Sequence, residues 1–405
     1  MNYDQVIADT VKTNNSKIVL LVMDGVGDIR HPKFGNKTPL EYAHTPNLDQ
    51  LAMTSAVGRS IPILPGITPG SGPGHIGIFG YDPLVHTIGR GILEAVGIGF
   101  EIKSGDVATR CNFASMNDHG IITDRRAGRI PTETTMELCN ILREIKEIDG
   151  VEIIIEPGKG HRFVTVFRSK SNELGALIND TDPLNEGKAP LDAKGQNESS
   201  QFLAHVVNQF IQKGFALLKD KRPANAFLMR GFSSKPKIPS MLDKYLLESA
   251  AIASYPMYRG IASLLGMHLL PAPDSIENLF KSYVECRQKY DFFFIHVKGT
   301  DQAGEDGDFE AKVSCIEKVD QALPILLEHK PDVLAITGDH SSPCAMRSHS
   351  WHPVPTLIHS EFCDVDDVRA FHESACNTGS LGFFESKYLM GLLLSNAKRL
   401  DKFGA

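Results

Sequence analysis

Ile18-Val19-Leu20-Leu21-Val22-Met23-Asp24-Gly25 is the stretch on which the reading of the fold turns. An apolar run of this kind predicts a strand buried on both faces, as in a parallel sheet, and it ends in an aspartate. The same grammar occurs twice more. Phe292-Phe293-Phe294-Ile295 leads through His296 to Asp301, and Val333-Leu334-Ala335-Ile336 leads to Asp339. Helix signals lie between these runs. Thr45-Pro46-Asn47-Leu48 reads as a capping residue with proline at the first helical position. Asp308 reads as the cap of a helix with Phe309, Val313, Ile316, Val319 and Leu323 on one stripe, which Pro324 should kink or end. Alternating strands and helices predict an α/β fold, a mostly parallel sheet flanked by helices. Ligands of such sheets collect at the carboxyl ends of the strands, where the three aspartates would sit.

The middle of the chain breaks this rhythm. Around Thr181–Ser200 it is polar and rich in turn residues, and a helical pattern through Phe202, Val206, Phe210 and Leu217 follows. None of the three aspartates falls inside this region. The reading is therefore one catalytic domain, residues 1–90 and 240–405, split by a smaller inserted α/β (α+β) domain, residues 91–239. The 405 residues carry 42 Lys+Arg against 49 Asp+Glu, a net charge of −7, which argues against a nucleic-acid partner. The polar start suggests no signal peptide, and no apolar run is long enough to span a bilayer. Seven cysteines without CxxC spacing read as reduced thiols, so a cytoplasmic location is expected.

The residues with chemistry cluster near the strand ends. Gly66-Ile67-Thr68-Pro69-Gly70-Ser71-Gly72-Pro73-Gly74-His75 reads as a glycine-rich loop centred on Ser71, able to bring backbone amides close to an anion. It lacks the rest of a dinucleotide fingerprint, so no nucleotide cofactor is expected. Asp339-His340 offers an oxygen and an imidazole to a divalent metal. With Asp24, with His349 downstream and with Asp301 and Glu305 upstream, it suggests a two-metal site. His352, between Trp351 and Pro353, reads as a packing residue or a support for a ligand. A serine beside two cations, which activate its hydroxyl and neutralise a transferring phosphoryl group, points to phosphoryl transfer through Ser71.

Longer segments carry a resemblance. They include Val22-Met23-Asp24-Gly25, Lys37-Thr38-Pro39-Leu40-Glu41, Gly70-Ser71 with His75, Gly80-Tyr81-Asp82-Pro83, Gly89-Arg90-Gly91 and Asp124-Arg125-Arg126-Ala127-Gly128-Arg129. Thr181-Asp182-Pro183, Arg259-Gly260-Ile261-Ala262, Gly338-Asp339-His340-Ser341 and the terminal Lys402-Phe403-Gly404-Ala405 follow in order. In these segments, spread over nearly its whole length, the chain resembles the archaeal-type cofactor-independent phosphoglycerate mutases of the alkaline-phosphatase-like superfamily. The resemblance implies interconversion of 3- and 2-phosphoglycerate, a step of glycolysis and gluconeogenesis, without 2,3-bisphosphoglycerate. It implies Ser71 as the serine that is transiently phosphorylated. Asp24, Asp339 and His340 match the ligands of one metal, which also touches Ser71, and Asp301 and His349 match ligands of the second. The pair of ions would be manganese, magnesium or zinc. Arg125, Arg126, Arg129, Arg230 and Lys244 fall in segments resembling the substrate-facing basic stretches, and the inserted domain would be a lid. Two positions depart from the family: Gly72 stands where an aspartate often follows the serine, and Glu305 where many relatives carry histidine. A phosphatase or phosphotransferase for another small phosphorylated metabolite would use the same site.

Overall fold

The computed structural model of the chain describes residues 2–404, so Ala405, the last residue of the terminal segment quoted above, lies outside it. It divides into two compact units, one built from the residues up to Thr87 and from Ile238 onward, the other from Ile88–Lys237.

The larger unit holds an eight-stranded sheet in the order His268–Leu269, Ser249–Ile252, Phe292–Val297, Ile18–Met23, Val333–Thr337, Val354–Ser360, Ala56–Ile61, Gly382–Glu385. The first five strands are mutually parallel, and Val354–Ser360 runs antiparallel to both neighbours. The three apolar runs read from the sequence are adjacent at its centre, with Val22 level with both His296 and Thr337. Every residue of these strands is buried, because helices cover both faces. Their carboxyl ends therefore meet at one edge.

Two helix expectations need correction. Helix Pro46–Ala52 starts at Thr45, but the Thr45 side chain makes no capping bond. The Leu48 amide donates instead to Asp320 Oδ1, 2.7 Å away on a neighbouring helix. That helix, Phe309–Glu328, does begin at an Asp308 cap, yet it runs on past Pro324. The carbonyl that Pro324 leaves without its helical donor is that of Asp320. Asn47 Nδ2 donates to it at 3.1 Å, so the two helices correct each other's defects.

The second unit is an antiparallel sheet centred on Val107–Met116, which pairs with Ala226–Ser234, Arg162–Ser169 and Ile122–Asp124. Val151–Pro157 and Glu147–Ile148 extend it. Helices Thr132–Leu142 and Glu198–Leu218 bury Leu138, Leu142, Val206 and Phe210 against Phe113, Phe163, Phe167 and Phe227. Among the described residues no helix is long and apolar enough to cross a membrane, and all seven cysteines are free.

Candidate metal centre

Asp24 follows the first strand directly, and its amide is held by the Val297 carbonyl at 2.9 Å. The next residue, Gly25, has φ +60°, and a Cβ there would lie 2.6 Å from Ser342 Oγ and 2.8 Å from Asp301 Oδ1. Only glycine makes this turn beside those groups. Asp339 and His340 follow the neighbouring strand Val333–Thr337, and Asp301 lies in helix Gly299–Asp306 after the third.

Two overlapping groups of ligand atoms result: Asp24, Asp339 and His340, all buried, and Asp301, His340 and His349. His340 Nε2 is 3.4 Å from Asp24 Oδ1 and 3.3 Å from Asp339 Oδ2. Ligands about 2.0–2.1 Å from a tetrahedral cation stand about 3.3 Å apart, so this spacing fits an ion among them. Asp24 Oδ1 and His340 Nε2 are buried without a hydrogen-bond partner, a costly state that a cation would relieve. His349 Nε2 lies 3.6 Å from Asp301 Oδ1 and 3.5 Å from Glu305 Oε1. The other nitrogen of His349 is 3.1 Å from the Pro69 carbonyl, which can only accept. Nδ1 therefore donates there, and Nε2 is the nitrogen that faces Asp301 and Glu305.

Ser71 does not sit in a loop. It is the first residue of helix Ser71–Ile78, which contains Gly72, Pro73, Gly74 and Gly77. Those glycines serve close packing: a Cβ on Gly74 would lie 2.7 Å from the Asp339 carbonyl oxygen. His75, one turn on and fully buried, bonds the Ser71 carbonyl at 2.9 Å and lies 3.0 Å from Asp339 Oδ2. The nucleophile candidate and Asp339 are thereby tied through one imidazole.

The electrostatics of the cluster are those of crowded charges. Burial and the Asp339 charge push the Asp24 carboxyl up, but His296 and His340 outweigh them and leave it below its ordinary value. Burial opposes ionisation of Asp339 as well, yet His340 and His75 hold it well below the usual carboxylate range. Lys298 was not read from the sequence. Its Nζ lies 3.0 Å from Asp24 Oδ2 and 3.1 Å from the Tyr258 hydroxyl, and it also contacts Asp301 Oδ2. Burial alone would lower its pKa, but Asp24 and Asp301 raise it. The Tyr258 hydroxyl, beside Ser71, is raised by burial and by Asp24 and Asp339. His352 stacks on Trp351 and bonds Ser350 Oγ at 2.9 Å, outside both ligand groups.

The basic residues named from the sequence fall in both units. In the smaller unit Arg125 forks onto Asp182, Nε to Oδ1 at 2.8 Å and an Nη to Oδ2 at 2.6 Å. Arg230 lies 3.6 Å from the same carboxylate. Arg126 and Arg129 are exposed, Arg129 with φ +55° at a turn. Near Arg230 stand Arg90, Arg110 and Arg162, none of which the sequence reading assigned a role, although it quoted Arg90 within Gly89-Arg90-Gly91. Burial lowers the Arg110 pKa, Glu94 opposes that, and the cations of Arg162, Arg90 and Arg230 lower it further. Burial and the charges of Arg162, Arg126 and Arg110 likewise lower the His161 pKa. Cations this dense invite an anion. Lys244 belongs to the larger unit, with its side chain nearly buried, donating to the Gly80 carbonyl at 2.8 Å and paired with Asp4 at 2.9 Å over the ring of Tyr81.

A family model described as 2,3-bisphosphoglycerate-independent phosphoglycerate mutase matches residues 52–225. The Aquifex aeolicus protein named "Probable 2,3-bisphosphoglycerate-independent phosphoglycerate mutase" is 50% identical, over 99% of this chain and all of the relative. A Thermus thermophilus protein of the same name is 46% identical over the full length of both. Among solved structures, a cofactor-independent phosphoglycerate mutase from Thermoplasma acidophilum aligns with TM-score 0.77 at 30% identity, over 94% of this chain and 100% of that one. The PH0037 protein of Pyrococcus horikoshii aligns with TM-score 0.82 at 29% identity, over 97% of this chain and 100% of that one.

Proposed function

We propose that this chain, which belongs to the family of 2,3-bisphosphoglycerate-independent phosphoglycerate mutases, interconverts 3-phosphoglycerate and 2-phosphoglycerate through a phosphoserine at Ser71. Two divalent cations would be held by Asp24, Asp339 and His340 and by Asp301, Glu305 and His349, and when bound they supply charge neutralisation and activation of the serine hydroxyl. The observation that carries the reading is the pair of buried, unpartnered atoms Asp24 Oδ1 and His340 Nε2, set among the carboxylates at the strand ends.

In this reading Ser71 Oγ accepts the phosphoryl group of one phosphoglycerate, releasing the sugar-acid oxygen as a hydroxyl. Amides of the first turn of helix Ser71–Ile78 face the added charge favourably. Glycerate re-orients, and its other hydroxyl takes the group back from Ser71. The arginines of the smaller unit, Arg126 and Arg110 foremost, would offer planar, forked donors to an anion such as a carboxylate. Water must stay away from the phosphoserine throughout, or transfer becomes hydrolysis.

A coupled mutase assay without added 2,3-bisphosphoglycerate tests this, before and after chelation and with manganese, magnesium or zinc restored. Ser71→Ala should reduce turnover by at least about a thousandfold, the scale on which enzymes lose rate without their nucleophile. Trapped phosphate should map to Ser71 in the parent. Substantial mutase activity in the alanine variant would end the assignment.

A further inference from the structure

Ser342 is fully buried and lies two residues beyond His340. Its Oγ is 2.5 Å from Asp301 Oδ1 and 3.2 Å from His340 Nδ1. It therefore touches one ligand of each proposed cation group, His340 of the first and Asp301 of the second. We propose that Ser342 is a positioning residue that fixes the tautomer of His340 and couples the two cation sites. The proposal rests on the cation reading above.

A serine hydroxyl has a single hydrogen to give. Asp301 takes a cation, Lys298, on Oδ2, so its Oδ1 acts as a carboxylate oxygen and can only accept. Ser342 must spend its hydrogen there. Toward His340 the hydroxyl has only lone pairs left, so His340 Nδ1 must be the protonated nitrogen. His340 Nε2 is then left with its lone pair, aimed at Asp24 Oδ1, Asp339 Oδ2 and, 3.9 Å away, Asp301 Oδ1. A histidine ligand is ordinarily oriented in this way, by the partner of its other nitrogen.

The backbone of Ser342 is held as closely as its side chain. Its amide donates to the Gly27 carbonyl at 3.0 Å, and its carbonyl accepts from Lys312 Nζ at 2.8 Å. Glycines close the seat on both sides: a Cβ on Gly25 would come within 2.6 Å of Ser342 Oγ, and one on Gly304 within 2.2 Å of the Ser342 carbonyl oxygen. The hydroxyl is thus confined to the line between Asp301 and His340. Ser341 makes a natural control, since it is equally buried in the same loop but its Oγ donates to the His352 carbonyl at 2.9 Å.

The test uses the full chain, labelled with 15N-histidine, as parent, Ser342→Ala and Ser341→Ala. Long-range 1H–15N correlation of the metal-free proteins, with His340 assigned through His340→Asn, reads the tautomer directly. Calorimetric titration with manganese reads both sites. The parent should show His340 protonated on Nδ1. Ser342→Ala should show a tautomer mixture and about 10–100-fold weaker binding of both ions, and Ser341→Ala should match the parent. An unchanged tautomer and unchanged affinities in Ser342→Ala overturn the proposal, as does an equal loss in Ser341→Ala, which would indicate general loosening of the loop. A parent chain that binds no ion overturns the cation reading itself.

Discussion

Replacing Lys312 by methionine is expected to cost more than any surface change, and the structure sets the scale. Lys312 lies in helix Phe309–Glu328 with its side chain wholly buried, and its Nζ is 2.8 Å from the equally buried Asp28 Oδ2. The same ammonium donates to the carbonyls of Gly27 at 3.3 Å and Ser342 at 2.8 Å. It thereby pins the turn after Asp24 to the loop after His340. Methionine keeps the volume and removes the charge. Asp28 would keep the amides of Ile29 at 2.8 Å and Cys344 at 3.1 Å but lose its only cation at hydrogen-bonding distance among the described residues. Stranding one member of a buried pair costs about 3–5 kcal/mol. For a unit of this size that corresponds to a fall in Tm on the order of 10 °C. Urea denaturation of the metal-free protein, followed by calorimetry, measures both. Adding Asp28→Asn should recover about half or more of the loss, because an uncharged amide no longer needs the ammonium. A single-variant loss below about 1 kcal/mol, or a double variant worse than Lys312→Met alone, would refute the account of Lys312 as the partner of Asp28.

Arg126→Ala should raise the KM for phosphoglycerate about tenfold or more at unchanged stability, since the exposed Arg126 side chain leaves no buried partner behind. Arg125→Ala should in addition cost about 2 kcal/mol, because it strips the fork from buried Asp182; equal denaturation midpoints for the two variants would contradict this. Burial raises the Asp182 pKa, but the bonds and charge of Arg125, with Arg230, bring it below the ordinary carboxylate value. Its contribution is therefore complete above the unfolded carboxylate pKa of about 3.9 and lost as pH falls through the lower folded value. Asp182→Asn should flatten the acid limb of the stability curve below about pH 4, and an unaltered limb in pH-dependent urea melts would contradict it. Glu305→Gln should weaken one manganese about tenfold, leaving the Asp24–Asp339–His340 site filled, and parental Glu305 should favour manganese or magnesium over zinc. Elemental analysis with anomalous diffraction decides it, and two fully occupied ions in the glutamine variant would return Glu305 to the solvated surface.

What the sequence determined by itself was whatever is local. Six buried apolar residues before Asp24 can be little else than a central strand, and three such runs imply a parallel sheet whose carboxyl ends gather their aspartates. Asp24, Asp301, Asp339 and His340 could be placed at one sheet edge for that reason: each is tied by a few residues of chain to a strand that cannot move. The remaining features depend on distant partners. Pro324 did not end its helix because Asn47, from elsewhere in the chain, took the orphaned Asp320 carbonyl. The glycines around Ser71 looked like loop residues, yet they admit the Asp339 backbone to the face of a helix. Lys244, read in sequence as a substrate-facing cation, meets Asp4 and the Gly80 carbonyl, whereas Lys298, not read at all, bridges Asp24 and Asp301. Arg90, Arg110 and Arg162 lie far apart along the chain, and only the fold brings their charges together. Charge and hydrogen-bond capacity act through space. A side chain's partners, and hence its role, are settled only when strands and helices from remote segments have packed.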